Sequence, residues 1–432
     1  MHCSTLFSLL SLCAGAFASP SVVSHGPYQR NAHRNIHRRG NYREHYKTSP
    51  KPSDGMRAVG YFGNWVRLFD TSKSLVVDTR YLSDEWADIQ KTYDGDVASN
   101  STDLFGSLKQ LYLLKKKNRS LKTLLAIAGA TYSVNMSPVL RSPKLRAKFV
   151  TSSIKLMTDL GFDGLDMDYE YVANATEAVD MVTLLGDLRA AMDAIPTNTT
   201  SDASPFLLTY ASPAGPNKYK LLDFKGMDQY LDFWNYMGFD YAGAWDKISG
   251  HMSNVYEDES NKAATPFNTT SAIDYYIANG ATPHKINLGS PLYARAFANT
   301  AGPGTPFNGT GAASSFGEAG IFDTKHLPLA GSNATVTNMR EVGAAYSYDA
   351  GRRYMLSFDT PTVARVKAEY VIEKGLGGMM WWEVSMDRKG PESLVRTTVE
   401  SFGGVGALEG SRNRLAYPMS RFENLRRGMP GQ

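Results

Sequence analysis

Three acidic residues, Asp166, Asp168 and Glu170, recur at strict two-residue spacing behind an apolar run. In a β-strand this spacing points all three side chains to one face. Carboxylates stacked on one face repel one another, so a fold retains them where some are protonated or where a ligand requires them. We interpret the segment as an acid catalyst with two neighbours that tune its protonation. A solvated strand end or a cation site is the alternative, which the apolar flanking sequence disfavours.

The same segment, residues 163–170 with the sequence Asp-Gly-Leu-Asp-Met-Asp-Tyr-Glu, resembles the signature of glycoside hydrolase family 18, the chitinases, and looks most like the secreted fungal members. Further ordered matches run from about residue 58 to about residue 404. These matches are Lys109-Gln110-Leu111, Tyr132-Ser133, Pro213-Ala214-Gly215, Asp240-Tyr241-Ala242-Gly243, Pro291-Leu292-Tyr293 with Arg295, and Gly378-Met379-Met380-Trp381-Trp382.

The resemblance implies a retaining hydrolysis in which the 2-acetamido group of the substrate attacks and no second enzyme carboxylate does. Glu170 is then the general acid, Asp168 orients the acetamido N–H, and Asp166 shares a proton with Asp168. A neighbouring carboxylate and partial burial would raise the pKa of Glu170 in the direction that an acid catalyst needs. Substrates without the N-acetyl group are expected to fail.

Substrate-binding positions also follow from the resemblance, because pyranose rings stack on aromatic side chains. Trp382, at the end of the last strand, corresponds to the tryptophan beneath the reacting sugar. Its neighbour Trp381 points to the opposite side of the strand and is expected to pack in the core. Core packing remains the alternative for each single aromatic residue. The implied binding residues are Tyr61, Met237, Phe239, Asp240, Tyr241, Trp245, Tyr293, Arg295 and Trp382.

Two regions depart from the family pattern. Where the family has Ser-x-Gly-Gly-Trp, residues 126–130 read Ala-Ile-Ala-Gly-Ala, so that Ala126 lacks a hydroxyl that usually bonds the inner aspartate and Ala130 lacks a large aromatic ring. Phe239 stands where the family has a tyrosine whose hydroxyl steadies the acetamido group. Loss of one such transition-state hydrogen bond costs roughly 10²- to 10³-fold in rate.

Three functions therefore stay open. The first is a chitinase of reduced activity that cuts β-1,4-linked N-acetylglucosamine polymers. The second is a lectin-like protein that binds chitin oligomers with attenuated catalysis, and the third is an endo-N-acetylglucosaminidase that acts on N-glycans. Retention of all three acids favours an enzyme, and a walled groove would favour a linear polymer over a branched glycan.

The order of apolar runs predicts an α/β fold, a (β/α)8 TIM barrel. From Arg57 onward, β-rich runs alternate with helical patterns, which is typical of a parallel sheet wound with helices. Strand 2 is poorly represented, since its only candidate is the modest run at residues 73–80. The seven secure strands are predicted at residues 58–62, 121–128, 162–170, 206–211, 231–238, 285–290 and 377–382.

The alternation breaks at residues 297–354, where the family carries a small α+β insertion between strands 7 and 8 that forms one wall of the groove. The catalytic barrel is accordingly predicted at residues 56–296 and 355–404. The basic residues 405–432 contain five arginines and are predicted to be a disordered end with affinity for an acidic surface.

The amino-terminal residues indicate export. Residues 1–18 have the apolar stretch and small residues of a signal peptide, and they contain both cysteines, Cys3 and Cys13. A mature chain would then have no disulfide or thiol chemistry. Residues 19–55 are predicted to be a disordered basic leader. Eight Asn-X-Ser/Thr sequons fit a glycosylating secretory pathway. They are at Asn100, Asn118, Asn135, Asn174, Asn198, Asn268, Asn308 and Asn333.

Charge and histidine placement argue against other partners. The chain has a net charge of +4, while the leader has seven Lys or Arg residues against two acids, so the excess positive charge belongs to the leader and nucleic-acid binding is not expected. Beyond residue 50 only the scattered His251, His284 and His326 remain, and no metal or cofactor is predicted. We expect a secreted, extracellular monomer without membrane contact, whose partners are chitin or chito-oligosaccharides.

Overall fold

The computed structural model describes residues 55–62, 84–96, 102–196, 205–311, 313–315 and 317–432. The predicted signal peptide, the leader apart from its last residue and the candidate strand at residues 73–80 lie outside the described residues. The strands are β1 (Arg57–Gly60), β2 (Leu124–Ala128), β3 (Gly164–Asp168), β4 (Leu207–Ser212), β5 (Phe233–Tyr236), β6 (Ile286–Pro291), β7 (Tyr293–Ala298), β8 (Ile321–Asp323), β9 (Thr335–Met339), β10 (Ala344–Asp349), β11 (Tyr354–Ser357) and β12 (Gly378–Trp382).

The helices are α1 (Gly106–Lys117), α2 (Gly129–Tyr132), α3 (Met136–Arg141), α4 (Pro143–Leu160), α5 (Ala175–Asp193), α6 (Pro216–Tyr219), α7 (Phe224–Asp228), α8 (Thr269–Ala278), α9 (Pro361–Lys374), α10 (Leu394–Phe402) and α11 (Glu423–Arg426). Local signals in the sequence fix their ends. The hydroxyl of Ser142 accepts from the Leu145 N–H and Pro143 opens α4, while Gly161 ends this helix at a φ of 80°.

Seven strands of the described chain form one parallel sheet in the order β1-β12-β6-β5-β4-β3-β2. Each of them overlaps one of the seven runs predicted from sequence, which confirms those predictions. Strand β3 shows how side chains divide between the two faces of this sheet. Leu165 and Met167 pack outward and are fully buried, while Asp166 and Asp168 face inward between the strands. The carboxyl ends of parallel strands meet at one face of such a sheet, where the site is expected.

The inserted unit is a five-stranded antiparallel sheet in the order β8-β7-β11-β10-β9. It begins at Tyr293 and ends at Ser357, slightly wider than the predicted range 297–354. The described residues of that range contain no α-helix, so the helical part of the predicted α+β unit is wrong. The short runs in this range alternate with the two-residue period of strands, and they lack the 3.6-residue period of an amphipathic helix.

A buried ion pair joins the inserted sheet to the barrel. The Lys367 Nζ atom of α9 lies 2.6 Å from Asp359 Oδ2, and neither side chain is more than 1% exposed. The hydroxyls of Ser290 and Ser253 donate to the two oxygens of Asp359 at 2.5 and 2.9 Å. Buried charges need such partners, because an unpaired charge in the interior is strongly destabilising.

The carboxyl-terminal residues 405–432 pack against the barrel, so their predicted disorder is wrong. Asn413 is 1% exposed and its Nδ2 donates to the carbonyls of Lys115, Asn118 and Leu121, which closes the end of α1. Asp163, at the start of β3, accepts from the Arg414 N–H at 2.7 Å. The prediction of disorder gave weight to the arginines and overlooked the apolar residues between them, such as Leu425, which lie in the core.

Candidate active site

The acid strand, defined here as residues 166–170, leads into the carboxyl-terminal face of the sheet. Asp166 and Asp168 lie within β3 and are 4% and 7% exposed, whereas Glu170 follows the strand and is partly exposed. An acid at the exposed end can reach a ligand, while the two inner acids cannot be reached without entering the barrel. The structure thus brings together the three residues that the spacing predicted.

The carboxylate of Asp166 is surrounded by hydrogen-bond donors. The Tyr61 hydroxyl donates to Asp166 Oδ2 at 2.5 Å, the Asn235 Nδ2 donates to Oδ1 at 3.1 Å, and the Thr209 hydroxyl also donates to Oδ1. Tyr61 was predicted to line the groove, whereas Thr209 and Asn235 were missed. Both are polar residues within otherwise apolar strands, β4 and β5, and that contrast could have revealed them.

Burial dominates the protonation of the acid strand. Burial raises the pKa of Asp166, and its three donors act in the opposite direction, Thr209 most strongly. Burial also raises the pKa of Asp168 well above its ordinary value, and the charges of Glu170 and Asp166 add to this effect. The pKa of Glu170 is raised by burial and further by the charge of Asp240, against a hydrogen bond with Tyr171. Protons are therefore retained among these acids at a pH where free carboxyl groups are ionised.

Ser133 ties the loop after β2 to the acid strand. Its hydroxyl donates to the Asp168 carbonyl at 3.2 Å and accepts from the Glu170 N–H at 2.8 Å. Ser133 is one of the residues that match the family pattern, but the sequence alone predicts no role for it. Ala128, the last residue of β2, leads into this loop at a φ of 88°, a conformation that favours glycine. Gly129 follows at a φ of 75°, and a Cβ atom there would be in ordinary van der Waals contact, 3.5 Å from Asp168 Oδ2.

A second cluster forms around Asp240, in the loop after β5. Arg295 binds it in a bidentate manner, with Nε 2.5 Å from Oδ1 and an η nitrogen 2.8 Å from Oδ2. The Tyr293 hydroxyl donates to Oδ1 at 2.6 Å. The Arg295 guanidinium also lies 4.6 Å from the centroid of the Trp245 ring, whose side chain is 57% exposed. Asp240, Tyr293, Arg295 and Trp245 thus form one cluster, and the charge of Asp240 acts on Glu170.

Each of the two clusters has one further predicted aromatic residue beside it, Trp382 at Tyr61 and Phe239 at Tyr293. The rings of Trp382 and Tyr61 are 5.3 Å apart, and those of Phe239 and Tyr293 are 6.2 Å apart. Trp381 is 1% exposed and packs in the core, as predicted from its side of the strand. Met237, just past the end of β5, is half-buried.

Tyr241 does not line the groove, which corrects its assignment as a binding residue. Its side chain is 1% exposed, and its hydroxyl is paired with those of Tyr236 at 2.8 Å and Thr269 at 2.7 Å. The turn at Asp240, with a φ of 61°, sends consecutive side chains in different directions, so Tyr241 points back into the core. A match in the linear motif could not distinguish the two directions.

Within the described residues, no group of three or more His, Cys, Asp or Glu side chains is arranged so that it could hold a metal ion. In the same part of the chain, every helix is too short or too polar to cross a bilayer.

Comparison with known proteins agrees with this geometry. Residues 57–387 match the model of the family described as Glycosyl hydrolases family 18. The chain belongs to this family. It is a (β/α)8 barrel glycoside hydrolase with an inserted antiparallel sheet, and the predicted fold class is confirmed.

Fungal family 18 members are among its relatives. Chitinase 1 of Aphanocladium album and Endochitinase 1 of Metarhizium robertsii are each 42% identical to it over 352 residues, which are 81% of this chain and 81% of each relative. Among solved structures, the catalytic domain of psychrophilic chitinase B from Arthrobacter TAD20 has a TM-score of 0.70 at 25% identity and covers 83% of this chain and 98% of that one. A class V chitinase mutant from Nicotiana tobaccum, solved with NAG4, has a TM-score of 0.60 at 26% identity, covering 70% and 88%.

Proposed function

We propose that this protein, a chitinase by its family and its fungal relatives, hydrolyses β-1,4-linked N-acetylglucosamine polymers by substrate-assisted, retaining catalysis. The observation that carries the proposal is the acid strand, with Asp166 fixed by three donors and Glu170 at the mouth of the barrel with a raised pKa. The fungal relatives named chitinase and endochitinase support the substrate class.

Each acid has a distinct part in this mechanism. Glu170 gives its proton to the glycosidic oxygen, which needs a carboxyl group that stays protonated near working pH. The acetamido carbonyl of the substrate attacks the anomeric carbon, and Asp168 orients and polarises the acetamido N–H. Of the two aspartates, Asp166 is the one that is ionised, because three donors stabilise its carboxylate. Asp168 lacks such support, since its Oδ1 atom has no hydrogen-bond partner among the described residues.

The groove residues bind the sugar chain. Trp382 and Tyr61 form the floor, Trp245 offers an exposed ring to the chain beyond the cleaved bond, and Met237 packs beside the reacting sugar. Asp240 is held by hydrogen bonds from Tyr293 and Arg295, and its negative charge raises the pKa of Glu170. Phe239 has no hydroxyl for the acetamido group, so we propose turnover roughly 10²- to 10³-fold below that of a tyrosine variant.

The inserted sheet would wall one side of the groove, which favours internal cleavage of a linear chain over action on branched N-glycans. We also propose that the protein acts outside the cell as a monomer, after removal of residues 1–18 and with residues 19–55 as a basic leader. The sequons support passage through a secretory pathway.

Hydrolysis of a fluorogenic N-acetylglucosamine oligomer by the purified protein tests the proposal, beside the variants Glu170→Gln and Phe239→Tyr and with oligomer binding measured on the same samples. We expect turnover to vanish in Glu170→Gln, with binding retained, and to rise in Phe239→Tyr. Binding without turnover in the unaltered protein would instead establish the lectin-like function.

A further inference from the structure

Asp166 occupies the centre of a row that crosses three strands. Its register partners are Ala126 on β2 and Thr209 on β4, and residues in register on neighbouring parallel strands point to the same side. Ala126 offers only a methyl group to this row. Thr209 is fully buried, and its hydroxyl donates to Asp166 Oδ1. The row therefore supplies Asp166 with one hydroxyl. It comes from Thr209 on β4, whereas the family pattern has a serine hydroxyl on β2, at the position of Ala126.

The other donors to Asp166 come from outside the row. Asn235 on β5 donates to Oδ1, and its amide is oriented by Asn287, whose Nδ2 donates to Asn235 Oδ1 at 3.2 Å. Tyr61, just past the end of β1, donates to Oδ2. Each oxygen of the carboxylate is thus bonded, and Oδ1 would lose one of its two donors if the Thr209 hydroxyl were removed.

We propose that Thr209 is a positioning residue that replaces the hydroxyl missing at Ala126 and holds the negative charge on Asp166, so that the proton shared by the two aspartates resides on Asp168. Protonated Asp168 can then donate to Glu170. The inference rests on the proposed function of the acid strand, and it assigns to this chain its own way of tuning that strand.

The charge distribution around Asp166 agrees with this assignment. The titratable groups that interact with it are Tyr61 just after β1, Asp168 on β3 and Tyr210 on β4. Burial raises the pKa values of both tyrosines, so they stay neutral, and Tyr61 remains a donor. No cation interacts with Asp166 among the described residues. Neutral donors alone keep its charge, and Thr209 is the strongest of them.

The test compares Thr209→Val, which keeps the shape and loses the hydroxyl, with Thr209→Ser and with the double variant Ala126→Ser/Thr209→Val. We expect Thr209→Val to lower kcat about tenfold, as befits one hydrogen bond to a charged group, with little change in KM. The acidic limb of its pH profile should move up by about one pH unit, because Asp166 gains a proton more readily. Thr209→Ser should behave as the unaltered protein, and the hydroxyl of Ala126→Ser should restore much of the loss.

Thr398→Val in α10 is the matched control, because that fully buried hydroxyl donates to the Leu394 carbonyl away from the site. A Thr209→Val variant that changes only thermal stability, as Thr398→Val should, would overturn the inference.

A measurement without turnover separates this inference from the proposed function. Carboxyl ¹³C NMR of Asp-labelled protein, with the Asp166 signal identified by its loss in Asp166→Asn, gives the titration of that group directly. We expect a higher midpoint in Thr209→Val. Equal midpoints would overturn the role of Thr209 even if the unaltered protein hydrolyses chitin, whereas an inactive protein with shifted midpoints would overturn only the proposed function.

Discussion

At the scale of single residues, we expect protonation of the acid strand to govern both activity and stability. The rate should fall when Asp166 gains a proton and when Glu170 loses one. Since burial raises the pKa of both groups, the profile of kcat/KM is expected to be bell-shaped and displaced upward from that of free carboxyl groups. Asp240→Asn removes a charge that raises the pKa of Glu170, so its alkaline limb should move to lower pH. An unchanged alkaline limb in this variant would contradict the assignment of Glu170 as the acid.

Asp168 should lower stability at neutral pH. Its pKa in the folded protein is raised well above that of the unfolded chain, so the stability that it contributes is present below the unfolded value and is lost as pH rises through the folded value. Asp168→Asn removes this loss, and we expect an inactive protein whose thermal midpoint is raised by a few degrees at pH 8 and little changed at pH 3. Equal or lower midpoints at both pH values would contradict the burial argument.

At the scale of elements, the sequence predicted most of what positions the site. The two-residue spacing of Asp166 and Asp168 placed them on one face of β3, and apolar runs located the seven strands of the described sheet. The direction of Tyr241, the packing of residues 405–432 and the hydrogen bonds from Thr209 and Asn235 to Asp166 could not be predicted, although the polarity of Thr209 and Asn235 within apolar strands marks them in the sequence. They depend on a turn geometry or on contacts between residues distant in sequence, which periodicity does not contain.

The turn after β2 gives a prediction at this scale. Ala128 has a φ of 88° and a ψ of −94°, a combination that costs a side chain about 1–3 kcal/mol. Ala128→Gly should therefore stabilise the protein by about 1 kcal/mol, after the extra entropy of glycine in the unfolded chain is counted. Urea unfolding measures the difference. Ala126→Gly, within the regular strand, is the control and should destabilise by a similar amount, so a loss of stability in both variants would contradict the strain at Ala128.

At the scale of the whole molecule, the carboxyl-terminal segment fastens the barrel on the face opposite the site. Asn413 alone closes three carbonyls at the end of α1, and Lys115 forms a buried ion pair with Asp163 at 2.9 Å. Asn413→Ala should lower the free energy of unfolding by about 2–3 kcal/mol, because buried carbonyls lose their donor. Asn279→Ala, an exposed residue that donates to a helix carbonyl, should cost less than about 1 kcal/mol. Catalytic constants of both variants should remain those of the unaltered protein at temperatures where they are folded, since neither residue lies near the acid strand.

The central claim is that the substrate's own acetamido group takes part in cleavage by the acid strand. Its most direct test is ¹H NMR of the products formed early from an N-acetylglucosamine oligomer and, in parallel, from the matched glucosamine oligomer that lacks the acetyl groups. We expect the first oligomer to be cut with the β-anomer as the initial product and the second to remain intact. Cleavage of both oligomers, or initial release of the α-anomer, would contradict it.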